Sequence, residues 1–342
     1  MDANEEKFLR MTTQPVGGLV CRLAVPCIVS MMITALYNLA DTFFVGRMHS
    51  NSATGAIGVA FSLMAIIQAV GFFFGHGSGN FISRELGGHR RDQAEEMAAT
   101  GFLLSFAGGC LLTLLGLLFL EPLVRLLGST ETILPYAKSY VRIILLGAPW
   151  MTASLTLNNQ LRFQGSAVYG MVGITAGAVL NIGLDLLFVI PLSMGVMGAA
   201  LATVTAQYIA ALGLLLYTWH AFPELRVRRE DCRWNKAVLK SLLNLSLFTC
   251  LQQSVMNFGI LMIQGLVNSF GTAVMAAFAV AVKIDTIAYM PVQDFGNAFS
   301  TFVAQNYGAG RRDRIGKGVR WAVFWVVLFC LVIGGLVCLL AP

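Results

Sequence analysis

Charge is what this sequence has least of. Only 12% of its 342 residues are Asp, Glu, Lys or Arg, about half the share with which a soluble domain covers its surface. Together with 57% hydrophobic residues and a mean hydropathy of +0.73, that deficit excludes a water-soluble globular chain. The few charges cluster, and the stretches between them are long enough to cross a bilayer at about 20 residues each. The class that follows is an all-α polytopic membrane protein, with the lipid bilayer as its first partner.

Other absences narrow the chemistry. No Walker loop, nucleophile elbow, HExxH or kinase signature occurs, so neither ATP hydrolysis nor another enzymatic activity is expected, and no cofactor. Seven cysteines (Cys21, Cys27, Cys110, Cys232, Cys250, Cys330, Cys338) form no CxxC pair and have no His at metal-ligand spacing. Most sit in or beside apolar segments, where Cys behaves as a small hydrophobe; no disulfide and no metal site is read. The start, MDANEEKFLRMTTQP, is acidic and polar, unlike a cleaved signal or an Arg-rich transit peptide. A net charge of +6 calls for no nucleic-acid partner, because Lys and Arg gather in cytoplasmic loops for topological reasons.

Nine apolar segments can be drawn: Leu19–Val45, Ala53–Phe74, Met97–Phe119, Pro135–Thr156, Ala167–Ile190, Met197–Thr218, Leu239–Val267, Ala273–Phe299 and Val319–Leu340. With the N-terminus inside, 18 of the 23 Lys and Arg fall on the inner side, 4 on the outer side, and Lys283 within a span. That asymmetry predicts a multi-pass protein of the cell membrane with a cytoplasmic N-terminus.

The chain repeats itself. Phe74-Gly75, Phe81, Gly87 and Arg90-Arg91-Asp92 recur as Phe295-Gly296, Phe302, Gly308 and Arg311-Arg312-Asp313, always 221 positions on. The same offset pairs Ala56, Val59 and Ala60 with Ala277, Val280 and Ala281. Six spans, an even number, separate the copies, so both point the same way, as in transporters built from parallel halves. The predicted organisation is a first lobe over 1–218 with six spans, a cytoplasmic linker over 219–238, and a second lobe over 239–342 with only three. A sequence cut short before three further helices is the expectation.

Charges inside spans are costly, about 2.5–3.5 kcal/mol at a helix centre, and invite functional readings. Asp41 lies near the outer end of the first span, with Asn38 one turn away. Asn181 and Asp185 share a face of the fifth span, and Thr203, followed one turn later by Gln207, opens the sixth. At 1.5 Å per residue, Asp41, Asp185 and Thr203 fall within about one helical turn in height. Two carboxylates, an amide and a hydroxyl at one level suit a hard cation, or a shared proton. Gln253 and Asn257 of the seventh span, and Lys283 and Asp285 of the eighth, are further candidates for a substrate cleft; Lys283 serves equally well in a buried salt bridge. Met262 stands 221 positions after Asp41, so the second half did not keep that carboxylate. Pro26, Pro149 and Pro291 interrupt spans and are bend points, with Pro26 the expected gating bend.

The motifs YNLADTFFVGR (37–47), FISRELGGHRRD (81–92), NNQLRFQG (158–165), NIGLDLLF (181–188), GVMGAALATVTAQ (195–207) and FVAQNYGAGRRD (302–313) resemble, in order, those of the multidrug and toxin extrusion (MATE) family. The resemblance implies two six-helix lobes flanking a cleft, and antiport of organic cations or other drugs against Na⁺ or H⁺. It implies a coupling site at Asp41, Asn181, Asp185 and Thr203, and a protein acting as a monomer. The acidic site that other branches place on helices 7, 8 and 10 is not expected, since the seventh span lacks a carboxylate. A lipid-linked saccharide flippase of the same superfamily is the alternative, although the spans hold few basic residues beyond Arg22, Arg142 and Lys283.

Overall fold

The computed structural model describes residues 3–46, 51–189, 194–221, 235–268 and 272–340, with single turn positions at 191, 192 and 270. Among them are eleven helices and no strand. The nine long ones match the nine expected spans in order: α2 (Val16–Gly46), α3 (Asn51–Gly87), α4 (Arg91–Leu118), α6 (Leu134–Phe163), α7 (Ala167–Val189), α8 (Gly195–Ala221), α9 (Lys236–Asn268), α10 (Thr272–Gly308) and α11 (Arg312–Leu340). All but α9 and α10 contain a described stretch long and apolar enough to cross a membrane. Two short helices were not foreseen, α1 (Ala3–Thr13) and α5 (Leu120–Leu126). Neither carries an apolar run of spanning length, which is why a search for spans passes over them.

Several helices run well beyond their expected boundaries. Both α3 and α10 have 37 residues, about 55 Å at 1.5 Å per residue, against a hydrocarbon core of roughly 30 Å. The repeated motif is therefore not a loop. It is the helical end of α3 and of α10, together with the corner that follows each.

The first lobe, α2–α8, is organised around α6, which packs against α3, α4, α5, α7 and α8. Its buried face is both apolar and polar. Tyr140, Ile144, Leu145 and Ala148 join the main hydrophobic cluster, while Thr152, Thr156, Asn159 and Gln160 are also buried. Each of these polar groups bonds across or along the bundle. Thr156 donates to Ser105 Oγ at 2.7 Å and Gln160 to Ser78 Oγ at 3.1 Å. Such bonds are the glue available between helices in lipid, where no hydrophobic drive holds them together. Glycine supplies the closeness: a Cβ on Gly109 of α4 would stand 2.5 Å from the Cα of Pro149.

The second lobe sits on the first through a pseudo-two-fold exchange. Helix α10 packs on α2 as α3 packs on α9, and α3 meets α10 between them. That is the spatial form of the 221-residue repeat. The linker expected over 219–238 falls mostly on residues 222–234, outside the described residues.

Candidate coupling site

Helix α7 is apolar nearly throughout, and its strongly polar side chains are turned inward. Asn181 is 3% exposed and Asp185 is fully buried, while Thr203 of α8 is 3% exposed. Asn181 Nδ2 donates to Thr203 Oγ1 at 3.3 Å, joining α7 to α8. Asn181 Oδ1 is buried and accepts no hydrogen bond among the described residues. Asp185 lies one turn further along the same face of α7. An amide oxygen, a hydroxyl oxygen and a carboxylate, all withdrawn from solvent, are hard donors suited to Na⁺ or to a proton held on the acid.

The fourth expected member, Asp41, and its neighbour Asn38 occupy positions on α2, which packs along α7. Their side chains lie outside the described residues, as do those of Asn257, Lys283 and Asp285 on α9 and α10. Gln207, one turn after Thr203, is half-buried, and so is Gln253 on α9. Pro26 is buried inside an uninterrupted α2. Ser30 Oγ donates to the Pro26 carbonyl at 2.8 Å and Cys27 Sγ to that of Leu23 at 3.5 Å. A helix missing one backbone donor, with side chains bonded locally, has a built-in weak point.

The structure also brings three further charged or titratable residues into the interior. Arg162, near the end of α6, and His76, in the second half of α3, both belong to continuous helices and bury side-chain nitrogens. Arg162 Nε and Nη2 and both His76 ring nitrogens are buried without a hydrogen-bond partner among the described residues. Arg162 lies within electrostatic reach of His76, Cys27 and Asp294, and Asp294 of α10 is itself buried, accepting a bond from Asn297 at 3.2 Å. The signal in the sequence was NNQLRFQG, where Asn, Gln and Arg outnumber the single Leu and Phe without the Gly/Pro punctuation of a loop until its end.

A family model described as MatE matches residues 26–187 and 246–342. The chain belongs to the MatE family. Among curated MatE relatives, the multidrug export protein MepA of Staphylococcus aureus (strain MRSA252) is 22% identical over 330 residues, covering 96% of this chain and 73% of MepA. An FAD transporter of Shewanella oneidensis is 25% identical over 328 residues, covering 93% of this chain and 71% of that protein. Among solved MatE structures, a MATE in the bent conformation superposes with a TM-score of 0.89 at 24% identity, covering 100% of this chain and 75% of that one. The two-lobe helical architecture is that of MatE transporters, and this chain carries three helices of the second lobe.

Proposed function

We propose that the chain is a secondary antiporter of the cell membrane, acting as a monomer with its N-terminus in the cytoplasm. It exports organic cations or other xenobiotics in exchange for Na⁺ or H⁺ by alternating access, without catalysing a chemical reaction. The domain limits 1–218, 219–238 and 239–342 remain part of this proposal. The observation that carries it is the buried Asn181–Thr203 pair beside the fully buried Asp185. A carboxylate in that setting costs too much to leave ionised without a cation or proton nearby. Together with Asp41 it forms the coupling site, and occupation from outside draws α2 toward α7, bending it at Pro26.

Organic substrate occupies the cleft lined by Asn38, Gln207, Gln253, Asn257, Lys283 and Asp285. Coupling is reciprocal: an ion that lowers affinity for drug is itself expelled when drug binds. The similarity to a multidrug exporter and to a MATE solved in a bent conformation supports this reading.

The test is efflux of lipophilic cations from cells expressing the chain, with Na⁺ and pH gradients imposed separately. Efflux driven by one gradient and lost in Asp41→Asn and Asp185→Asn names the coupling ion. Equal efflux in both variants sinks the proposal.

One observation favours a second reading, export of an anionic substrate such as a lipid-linked saccharide. Arg162 is a cation with buried guanidinium nitrogens, where Arg22 and Arg142 are exposed, and a relative is named for FAD. Transport of an anionic but not a cationic substrate, lost in Arg162→Gln, selects it.

A further inference from the structure

The two copies of the repeat touch each other. Each ends in the same helix stop: His89 (φ 56°) and Gly310 (φ 71°) take the left-handed conformation at equivalent positions. Arg90 N donates to Glu85 O at 2.9 Å and His89 N to Leu86 O at 3.2 Å. Their counterparts are Arg311 N to Asn306 O at 2.8 Å and Gly310 N to Tyr307 O at 3.1 Å. This paired bonding closes an α-helix before a sharp turn, and it hands the chain into α4 and α11.

Just before each stop, the backbones of α3 and α10 meet. A Cβ on Gly87 would overlap the carbonyl oxygen of Gln305, and a Cβ on Gly308 would overlap that of Arg84. The pairing is self-complementary, because Gln305 is the repeat partner of Arg84 and Gly308 that of Gly87. It is the contact expected at a two-fold axis, here between two halves of one chain.

The surrounding bonds also cross between lobes. Ser83 Oγ, fully buried, donates to Thr301 O at 3.3 Å; Gln305 Nε2 donates to Phe163 O at 3.2 Å; and the Arg84 guanidinium lies 5.1 Å from the Tyr307 ring centre. The seam continues into α1, where Asn306 Nδ2 reaches Met11 O at 3.3 Å, and just past its end, where Arg314 Nη2 reaches Gln14 O at 2.7 Å.

We propose that Gly87 and Gly308 are the residues on which closure of the cytoplasmic side depends. They form a pseudo-symmetric backbone clasp that seals the inner end of the cleft, and the clasp parts when the cleft opens inward. Only glycine permits this approach, since the atom in the way is backbone on the facing helix and cannot rotate aside. The inference rests on the alternating-access reading above, but its test does not depend on transport.

The test introduces Ser83→Cys into a chain whose seven native cysteines are replaced, and labels it with an impermeant maleimide in inside-out vesicles. With both clasp glycines intact, the thiol at position 83 reacts about tenfold or more slowly than one introduced by Gly316→Cys, an open position. Gly87→Ala and Gly308→Ala each speed labelling at position 83 by roughly tenfold, and the double variant adds little, because either one opens the same seam. Gly58→Ala and Gly296→Ala, on the same two helices but facing open space, leave the rate unchanged.

Fast labelling at position 83 with both clasp glycines intact overturns the proposal without any glycine variant being folded, as does a rate indifferent to both clasp substitutions. Slow labelling with no measurable drug efflux leaves the clasp standing and counts against the antiporter reading alone.

Discussion

The two lobes carry the same repeated motif but use it in different surroundings. In the first lobe Gly75 lies against α6, where an added Cβ would stand 2.8 Å from Asn159 Nδ2. Its partner Gly296 faces open space. The first lobe closes around α6 and buries a polar ladder along it. The second lobe's α11 leaves Val323, Phe324, Val327, Leu331 and Val332 exposed, burying chiefly Ala322 and Gly318. Identical residues in a repeat therefore do unequal work, because a side chain's energetic weight is set by what packs on it. The residues proposed for coupling are the extreme case: polar positions on α2, α7 and α8, against Met262 at the repeat position of Asp41.

That contrast can be broken most severely at the proposed coupling site. Asp185→Asn should reduce ion-driven efflux by roughly tenfold or more, the scale of a typical coupling free energy, while Met262→Ala stays within about twofold. Vesicle efflux under an imposed gradient measures both, and an equal loss at Met262 would assign coupling to both lobes.

The next effect is on stability. Gly75→Ala should cost about 1–3 kcal/mol by overpacking against Asn159, whereas Gly296→Ala should be neutral or stabilising by up to about 1 kcal/mol through helix propensity. Denaturant titration of the purified protein in bilayer discs separates them. If the two substitutions behave alike, the asymmetry of the lobes is mistaken.

A smaller difference is expected between two glutamines. Gln160→Ala removes bonds to Ser78 Oγ and Ala98 O, both at 3.1 Å, and leaves buried partners unpaired at about 1–3 kcal/mol. Gln253→Ala, half-buried on α9, should change stability by less than about 0.5 kcal/mol. Thermal midpoints in the same discs decide it.

The smallest effect lies outside the membrane, where α5 meets α6. Bonds from Lys138 (2.6 Å) and Arg125 (3.0 Å) hold the Glu121 carboxyl below its ordinary range. A depressed pKa means the contribution is present above the unfolded value, about 4.3, and is lost as pH falls through the folded one. Glu121→Gln should flatten the thermal midpoint slightly between about pH 5 and pH 3. A midpoint more acid-sensitive in the variant would show the sign to be wrong.

Legibility in the sequence followed the physics of each feature. Span count and helix order were readable because a bilayer demands long apolar runs whatever their neighbours. The shared face of Asn181 and Asp185 followed from four-residue spacing, and the packing decided that it points inward. The burial of the Arg162 and His76 nitrogens was not legible, because a hydropathy reading puts a charge or an imidazole near a span end into water, whereas a crowded helix bundle can enclose it. Helices α1 and α5 escaped because they are held by tertiary contacts, such as Asn306 on Met11 and Glu121 on Lys138, rather than by apolar length.

By itself, the sequence determined the membrane class, the helical spans, the parallel repeat and the polar residues available for coupling, since all of these are properties of composition and period along one chain. Only the tertiary structure decided which copies of the repeat touch. Gly87 meets Gln305, and Gly308 meets Arg84, through backbone atoms that every residue possesses. An approach of that kind leaves no mark in the sequence beyond the missing side chain.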